Sequence, residues 1–365
     1  MNILYFSNYA SMSRGGQRSL WYLLRELDRE RYRPLLVCQE SGELTALADK
    51  AGIPTVVAPM PRLRPAEAPA IMRALRLFRR LIREHEIDVI HSEEFVVVLL
   101  AALLKPFTKV KIIWHVRVLW DHRLQELLAT LVCDRIVCVS EAVRAAFPRS
   151  DNLVTAENGV DPDEFRPMRQ RTVSSGELDE AKAVVGYLGR LAENKGTPVL
   201  VRAAAAVLRR RPGVKFLLVG AADEGYRDLM SDQAARLGVS ESVVFWGEER
   251  ERTAELLNRM DVFTLPSLLE GLSRSLLEAM ACGRPVVASD LPQNAEVVIP
   301  GKTGLLARAG DPDDLAEKIL KLLDEPELGR ALGENARKLV IEKYTVRRTA
   351  EKIQRIYEEL SEKRR

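Results

Sequence analysis

The chain has 365 residues, of which 47% are hydrophobic, and its formal net charge is +3. A chain of this length and composition is expected to fold into two globular domains, and its small net charge does not indicate a nucleic-acid partner. The longest apolar run, residues 95–104, is too short to span a bilayer.

The first half of the chain alternates short apolar runs with amphipathic segments. It opens directly on a predicted strand at 3–7, without the basic and apolar segments of a signal peptide, so we expect a cytoplasmic protein. Further strands are predicted at 34–38, 54–58, 89–91, 111–115, 135–139 and 153–155, with helices at 20–27, 44–51, 71–85 and 95–104. This alternation predicts a parallel sheet that is covered by helices on both faces.

Two features of this half are candidates for ligand binding. Gly15 and Gly16 lie between the first strand and the first helix, where backbone amides can bind a phosphate, although such a pair is most often an ordinary turn. His115 ends a predicted strand. A neutral histidine there can hydrogen-bond a sugar hydroxyl and a charged one can offset a phosphate, but a histidine without a role is the alternative.

The predicted helix at 71–85 is basic and amphipathic. Its arginines are Arg73, Arg76, Arg79, Arg80 and Arg83. Such a helix can lie on an anionic membrane surface. A solvated basic face on a helix that packs against the sheet explains the pattern equally well.

Residues 166–182 are polar and predict a linker, after which a second alternation begins. Strands are predicted at 184–188, 215–219, 242–245, 262–265 and 285–288, with helices at 199–210, 225–237 and 253–260 and a terminal amphipathic helix at 349–360. Asp311 to Asp314 is acidic but has the pattern of a helix amino-terminal cap rather than of a metal site.

A basic loop follows the first strand of this second half. Arg190 and Lys195 come directly after the predicted strand 184–188, and open α/β sheets bind ligands at the carboxyl ends of their strands. Arginine offers a planar fork for phosphate oxygens, lysine offers a compact charge, and Gly189 and Gly196 permit close backbone approach. The alternative is a solvated basic turn.

Glu270 and Glu278 stand eight residues apart in a segment that predicts a loop running into a helix. Ser273 can cap that helix, and the amides of its first turn attract anions. Two carboxylates beside an anion site suit a ligand with both phosphates and hydroxyls, such as a sugar nucleotide. A capped surface helix with two solvated glutamates is the alternative.

Taken together, these residues resemble the family 4 glycosyltransferases, also called glycosyl transferases group 1. The resemblance runs over nearly the whole chain, and its landmarks are Gly159–Asp161 with Phe165, Gly189–Leu191 with Lys195–Gly196, the two glutamates followed by Ala279–Ala288, and Pro300–Leu306. It implies an α/β fold of the GT-B type, in which two Rossmann-like domains face each other across a cleft. Residues 1–165 would form the acceptor-side domain and 166–345 the donor domain, with the helix at 346–365 packing back on the first.

The resemblance also implies an activity, namely retaining, metal-independent transfer from a nucleotide-diphosphate sugar, without a cofactor. The acceptor would be a glycan, a lipid-linked molecule or a small molecule, in the synthesis of cell-surface polysaccharide or glycolipid. The implied catalytic residues are Glu270, His115, Arg190 and Lys195. The implied donor-binding residues are Gly15, Gly16, Gly189, Arg190, Lys195, Gly271, Leu272, Ser273, Arg274 and Glu278, with Glu270 at the transferred sugar and Glu278 at the ribose.

Three departures from the family pattern concern the sugar pocket. Leu272 and Ser273 stand where many members have an aromatic residue and a glycine, and Arg274 occupies a position that is often apolar. Many members also carry an acidic residue soon after the histidine, where this chain has Val116 and Arg117. A sugar-nucleotide epimerase of related fold and an inactive binding partner are the alternatives to a glycosyltransferase.

Overall fold

The computed structural model describes residues 1–13, 15–118, 123–168 and 176–362. Contacts divide the chain into two compact units, the first formed by Met1–Asn158 with Val346–Arg365 and the second by Gly159–Thr345.

Both units are built on parallel strands that are short and mostly buried. The strands are β1 (Asn2–Ser7), β2 (Arg33–Cys38), β3 (Thr55–Val57), β4 (Val89–Ser92), β5 (Lys111–Val116), β6 (Arg135–Cys138), β7 (Leu153–Thr155), β8 (Ala183–Leu188), β9 (Val214–Val219), β10 (Val243–Gly247), β11 (Val262–Leu265), β12 (Val286–Ser289) and β13 (Leu305–Ala307).

Helices occupy most of the connections between the strands. The α-helices are α1 (Gly15–Glu26), α2 (Glu43–Lys50), α3 (Ala68–Glu84), α4 (Phe95–Leu104), α5 (Arg123–Val132), α6 (Glu141–Ala145), α7 (Gly176–Asp179), α8 (Thr197–Arg210), α9 (Tyr226–Arg236), α10 (Thr253–Arg259), α11 (Arg274–Ala281), α12 (Pro292–Ala295), α13 (Pro312–Asp324), α14 (Pro326–Lys343) and α15 (Val346–Glu362). Short 3-10 turns lie at Pro65–Glu67, Lys105–Phe107, Glu193–Lys195 and Ser240–Ser242.

The sheet of the first unit has the order β3-β2-β1-β4-β5-β6-β7, and every pairing in it is parallel. The order reverses between β1 and β4, which is where doubly wound sheets open a crevice for ligands. The terminal helix α15 packs against α1, and its residues Ala350, Ile353 and Tyr357 are buried in the same core as β1.

The sheet of the second unit has the order β10-β9-β8-β11-β12-β13 and is also parallel. Its reversal lies between β8 and β11. Buried side chains of β8, α8, β9 and α13 form its main core. The predicted α/β architecture of two parallel sheets is confirmed.

The chain passes between the units after Asn158 and before Val346, not at Arg166 as the composition predicted. Phe165 is fully buried, and Asn258 accepts from the Met168 amide at 2.9 Å and donates to the Arg166 carbonyl at 2.9 Å. These contacts attach the start of the predicted linker to the second unit, while residues 169–175 lie outside the described residues. Within the described ranges, no helix combines the length and the apolar character needed to cross a membrane.

Candidate functional site

The basic loop and the glutamate segment meet at the strand-order reversal of the second unit. Residues 189–196 follow β8 and residues 266–273 follow β11, and these two strands are neighbours in the sheet. The Leu268 amide donates to the Asn194 carbonyl at 2.9 Å, which joins the two loops directly. Residues separated by about eighty positions in the sequence therefore share one edge of the sheet.

Glycine is required where these loops touch. Gly196 has a φ of 67°, and a Cβ atom there would come within 1.8 Å of the Pro266 carbonyl oxygen. Gly189 has a φ of 156°, and a Cβ atom there would meet the Tyr187 hydroxyl at 2.8 Å. A side chain at Gly196 would push the two loops apart, and one at Gly189 would displace the Tyr187 hydroxyl that donates to the Arg190 carbonyl.

Lys195 and Glu270 form an ion pair between the two loops. The Lys195 Nζ lies 2.8 Å from Glu270 Oε1, and the Ser267 hydroxyl donates to the same oxygen at 2.8 Å. Gln293 Nε2 also donates to the Glu270 backbone carbonyl at 3.0 Å. The Glu270 side chain is only 8% exposed, and its Oε2 makes no hydrogen bond within the described part of the chain. The carboxylate is thus fixed through one oxygen while the other is uncommitted.

Helix α11 begins immediately after this loop. Ser273 is its N-cap, as predicted, and the Ser273 hydroxyl accepts from the Leu276 amide at 3.4 Å. The amino-terminal end of a helix favours an anion, and α11 presents that end to the loop that carries Glu270.

Arg274 and Glu278 form a second ion pair, one turn apart on α11. Arg274 Nη2 lies 3.0 Å from Glu278 Oε1, and Nη1 donates to the Gly159 carbonyl at 2.9 Å. Both side chains are buried, so Arg274 does not point outward. Among the described residues, Glu278 Oε2 makes no hydrogen bond. Each glutamate therefore keeps one oxygen on a cation and one oxygen uncommitted.

Arg190 is not drawn into either pair. Its Nη1 lies 2.8 Å from Asp223 Oδ2, and the two side chains are 50% and 70% exposed. The Tyr187 hydroxyl fixes the backbone by donating to the Arg190 carbonyl at 2.8 Å. Because exposed ion pairs contribute only about 0–1 kcal/mol, an anionic ligand can readily take over this guanidinium.

The first unit has a polar cluster at its own reversal, between β1 and β4. Gly15 and Gly16 open α1, and a Cβ atom on Gly16 would meet Glu93 Oε2 at 2.8 Å. Arg117 Nη2 pairs with Glu93 Oε1 at 2.8 Å, and Arg117 Nη1 donates to Asn158 Oδ1 at 2.6 Å. Sequence reasoning did not single out Glu93 or Asn158. The signal that could have identified Glu93 was its position two residues after the predicted strand at 89–91.

His115 is buried and neutral in the first unit. Its Nδ1 lies 3.1 Å from His91 Nε2. Burial, the Arg117 charge and His91 together hold the pKa of His115 well below its usual range. Of the two chemical roles considered for His115, a neutral hydrogen-bonding partner fits this environment and a cation does not.

Two family models together match most of the chain. The model of the glycosyl transferases group 1 matches residues 168–339, and that of glycosyltransferase family 4 matches residues 13–164. The boundary between the matches falls close to the boundary between the two units.

Curated proteins with similar sequences include glycosyltransferases, in agreement with the two family models. The D-inositol 3-phosphate glycosyltransferase 2 of Catenulispora acidiphila is 34% identical over 206 residues, which are 54% of this chain and 48% of the relative. The alpha-maltose-1-phosphate synthase of Mycolicibacterium smegmatis is 30% identical over 257 residues, 65% of this chain and 66% of the relative. The chain spans about half the length of several curated relatives that it matches.

Solved structures share the whole architecture. A glycosyltransferase from Rickettsia africae superposes with a TM-score of 0.85 at 20% identity and covers 98% of both chains. Anabaena HepE, solved in complex with UDP and glucose, superposes with a TM-score of 0.83 at 21% identity, covering 98% of this chain and 100% of HepE. The two family matches, the relatives and the shared GT-B fold lead to one conclusion: the chain belongs to the family 4 glycosyltransferases, the glycosyl transferases group 1.

Proposed function

We propose that the protein transfers a sugar from a nucleotide-diphosphate sugar to a hydroxyl acceptor, with retention of the anomeric configuration and without a metal ion or cofactor. The observation that carries the proposal is the pair of glutamates at the β8/β11 edge. Glu270 lies in the loop before α11 and Glu278 lies within α11, so they flank the amino terminus of this helix. Each carboxylate has one oxygen paired with a cation and the other available. Hydroxyls suit the available oxygens, and a diphosphate suits the helix end between them.

In this proposal the second unit binds the donor. The diphosphate lies against the amides at the start of α11, with Lys195 and Arg190 on its oxygens and the glycines 189 and 271 allowing close approach. Lys195 has three N–H donors and uses one on Glu270, so it can serve a phosphate without releasing the glutamate. Glu270 Oε2 contacts the transferred sugar and Glu278 Oε2 the ribose, with Arg274 holding Glu278 in place.

In the proposed mechanism, the main catalytic effect is stabilisation of the leaving diphosphate. Negative charge grows on the diphosphate as the glycosidic bond breaks, and donors already aimed at that charge lower the barrier. The same phosphate then helps to remove the acceptor proton, so the new bond forms on the face that the leaving group vacates. In the first unit, His115 donates a hydrogen bond to a sugar hydroxyl, and the amides of Gly15 and Gly16 add a further contact.

The comparisons favour a nucleotide sugar as the donor class. HepE has been solved with UDP and with UDP-glucose, and the named relatives are a D-inositol 3-phosphate glycosyltransferase and an alpha-maltose-1-phosphate synthase. The proposal extends to this chain the donor class and not the base, the sugar or the acceptor.

A donor and acceptor screen tests this function. Nucleotide sugars are incubated with glycan, lipid-linked and small-molecule acceptors, in the presence and absence of excess EDTA. We expect a glycoside and free nucleoside diphosphate in both conditions, with an α-linked product from an α-linked donor as shown by the anomeric proton coupling. A β-linked product would overturn retention, loss of activity in EDTA would overturn metal independence, and a new nucleotide sugar without transfer would identify an epimerase.

We further propose that the first unit docks on an anionic membrane. All five arginines of α3, at 73, 76, 79, 80 and 83, are exposed, while its Phe78 and Leu81 pack inward. Helices α3 and α5 both pack against α4, and α5 presents Leu124 at 70% and Leu131 at 74% exposure. Lys105 donates to the Val132 carbonyl, which brings Phe107, 78% exposed, to the same end of α5. A basic strip beside exposed apolar side chains suits an anionic lipid surface.

Vesicle sedimentation at low salt tests the docking. Changing Arg76, Arg79, Arg80 and Arg83 to Gln is expected to weaken binding to anionic vesicles by about 1 kcal/mol per residue. The control changes Arg202, Arg209, Arg210 and Arg236, which are exposed in the second unit, and so alters the net charge equally. Equal losses in both variants, or no sedimentation of the wild type, would contradict docking through α3.

A further inference from the structure

Four buried side chains form a continuous hydrogen-bonded chain through the core of the first unit. The hydroxyls of Tyr5 and Tyr357 lie 2.7 Å apart, and the Tyr357 hydroxyl lies 2.6 Å from His91 Nδ1. His91 Nε2 then lies 3.1 Å from His115 Nδ1. Their exposures are 1%, 0%, 3% and 1% in the order Tyr5, Tyr357, His91, His115, so solvent does not interrupt the chain.

This series of hydrogen bonds ends at His115 Nε2, an atom without a hydrogen-bond partner among the described residues. This nitrogen is fully buried. His115 lies near the carboxyl end of β5, the edge where the loops of a parallel sheet receive ligands. The other ring nitrogen is already committed to His91, so a ligand can be met only through Nε2.

The protons of this chain can be arranged in two directions. If His115 donates from Nδ1, then His91 donates to Tyr357 and Tyr357 donates to Tyr5. The Tyr5 hydroxyl proton is then left in the core, because Tyr5 has no further acceptor among the described residues. If the direction is reversed, Tyr5 donates to Tyr357, Tyr357 to His91 Nδ1, and His91 to His115 Nδ1. The remaining donor is then the Nε2–H of His115, at the sheet edge.

The second direction is favoured because its remaining donor, the His115 Nε2–H, lies at the sheet edge, where the oxygen of a water molecule or of a ligand can accept from it. In the first direction the unsatisfied donor is the Tyr5 hydroxyl, which lies in the core at 1% exposure, and a buried donor without an acceptor is destabilising. Neither histidine can relieve the conflict by charging, since burial lowers the pKa of both rings and the Arg117 charge lowers it further. The tyrosines also stay neutral, because burial raises the pKa of each.

We infer that Tyr357 and His91 are positioning residues that hold the proton of His115 on Nε2, so that His115 acts as a hydrogen-bond donor to an oxygen of the bound ligand. Tyr5 supports them by donating to the Tyr357 hydroxyl oxygen, which leaves the Tyr357 proton to be donated to His91. That the ligand oxygen belongs to a sugar rests on the proposed function. The tautomer itself is a property of the ligand-free protein and can be measured without any substrate.

Nitrogen-15 NMR of histidine-labelled protein tests the inference directly. One-bond and multiple-bond proton correlations distinguish a protonated Nε2 from a protonated Nδ1, and the His115→Gln variant assigns the signals. We expect His115 to be a single Nε2–H tautomer in the wild type at neutral pH. A protonated Nδ1 would overturn the inference, whether or not the protein proves to be a transferase.

Two tyrosine variants form a matched pair, because each removes one buried hydroxyl. Tyr357→Phe deletes the donor to His91 and is expected to give a mixture of His115 tautomers. Tyr5→Phe leaves Tyr357 donating to its sole remaining acceptor, His91, and is expected to keep the single Nε2–H form. An unchanged tautomer in Tyr357→Phe, or equal mixtures in both variants, would show that Tyr357 does not set it.

Turnover then distinguishes positioning from simple stabilisation. Tyr357→Phe is expected to lower kcat/KM about three- to tenfold, the effect of one ordinary hydrogen bond, and Tyr5→Phe to change it less than twofold. In a His115→Ala background Tyr357→Phe should have no further effect, because a residue that acts through His115 is coupled to it. An equal loss in both backgrounds would assign Tyr357 a structural role only. A wild type that transfers no sugar but shows the expected tautomers would overturn the proposed function and not the positioning.

Discussion

The two sheets reverse their strand order in the same way and both reversals carry a cation–glutamate pair, but only the first reversal adds buried, neutral histidines. At the β8/β11 edge, Lys195 and Arg274 each hold a glutamate through one oxygen and leave the other oxygen uncommitted. At the β1/β4 edge, Arg117 is taken up by Glu93 and Asn158, and the nearby histidines are buried and neutral. In each unit the topology brings these side chains to one edge of the sheet, and their charge determines which chemical groups that edge suits.

This difference means that the two edges suit different chemical groups of a ligand. The second unit has cations, carboxylates and a helix amino terminus at one edge, which suits a charged diphosphate and the hydroxyls beside it. The first unit offers a neutral donor, His115, which suits a hydroxyl but gains nothing from a phosphate charge. Under the proposed function, changes at the two edges should therefore alter different steps of the reaction.

The largest effect is expected for Glu270→Gln. The amide keeps the shape of the carboxylate but loses the charge that holds Lys195, so turnover should fall about 100- to 1000-fold while nucleotide affinity changes little. Glu278→Gln is the matched control on the same helix–loop segment. It should weaken nucleotide binding, measured by calorimetry, more than it lowers kcat. The same balance of kcat and affinity in both variants would contradict separate roles for the two glutamates.

A smaller effect is expected for the cations. Lys195→Ala should lower activity at fixed donor about ten- to a hundredfold, because it removes a charge-assisted phosphate contact and leaves Glu270 unpaired. Arg190→Ala should cost less, about tenfold, since its present partner is an exposed aspartate. Asp223→Asn frees Arg190 and should leave activity unchanged or slightly higher. Wild-type rates in both cation variants would show that the diphosphate binds elsewhere.

Much of the second edge could be predicted from sequence because its parts are local. The loop, the cap and both glutamates lie within one short segment, and Arg190 and Lys195 follow a strand with a clear apolar pattern. The pairing of Lys195 with Glu270, 75 residues away, depends on β8 and β11 being neighbours, and strand order is not written in the pattern of either strand.

The first edge could not be predicted in the same way. Tyr5 and Tyr357 are 352 positions apart and meet only because α15 packs on the first sheet. Glu93, Arg117 and Asn158 come from three separate loops and have no shared motif. Elements with weak signals were also missed. They are the three-residue strand β13, the four-residue helices α7 and α12, and the helices α5, α6 and α14, whose apolar stripes are short or continue from a preceding helix.

The contact between the two loops of the second edge can be tested by Gly196→Ala. The new Cβ atom would lie 1.8 Å from a backbone oxygen, so the loops must separate, and we expect a loss of about 2–4 kcal/mol in the free energy of unfolding. Gly238→Ala is the control. Its φ of 68° is almost the same as that of Gly196, but nothing lies within 4 Å, so only the conformational cost of about 1 kcal/mol should appear. Equal losses in urea denaturation would mean that the loop contact contributes nothing.

The neutrality of the first edge can be tested by pH. Burial, followed by the Arg117 charge, lowers the pKa of His91 to about 3, and that of His115 is also well below its usual value. The unfolded chain takes up protons on these rings below about pH 6.5 and the folded chain does not, so folded-state stability is complete above that pH and is lost as the pH falls. Each ring should lower the free energy of unfolding by about 1.4 kcal/mol per pH unit, or by about 2 kcal/mol between pH 6.5 and pH 5, before most carboxylates begin to titrate.

Urea denaturation at the two pH values measures this loss of stability. His91→Gln should remove one ring's share of it, whereas His85→Gln, which replaces an exposed imidazole, should leave it in place. A stability that does not change between pH 6.5 and pH 5 would mean that the rings are charged or accessible in the folded protein, and the contrast between the neutral histidines of the first edge and the charged side chains of the second would fail.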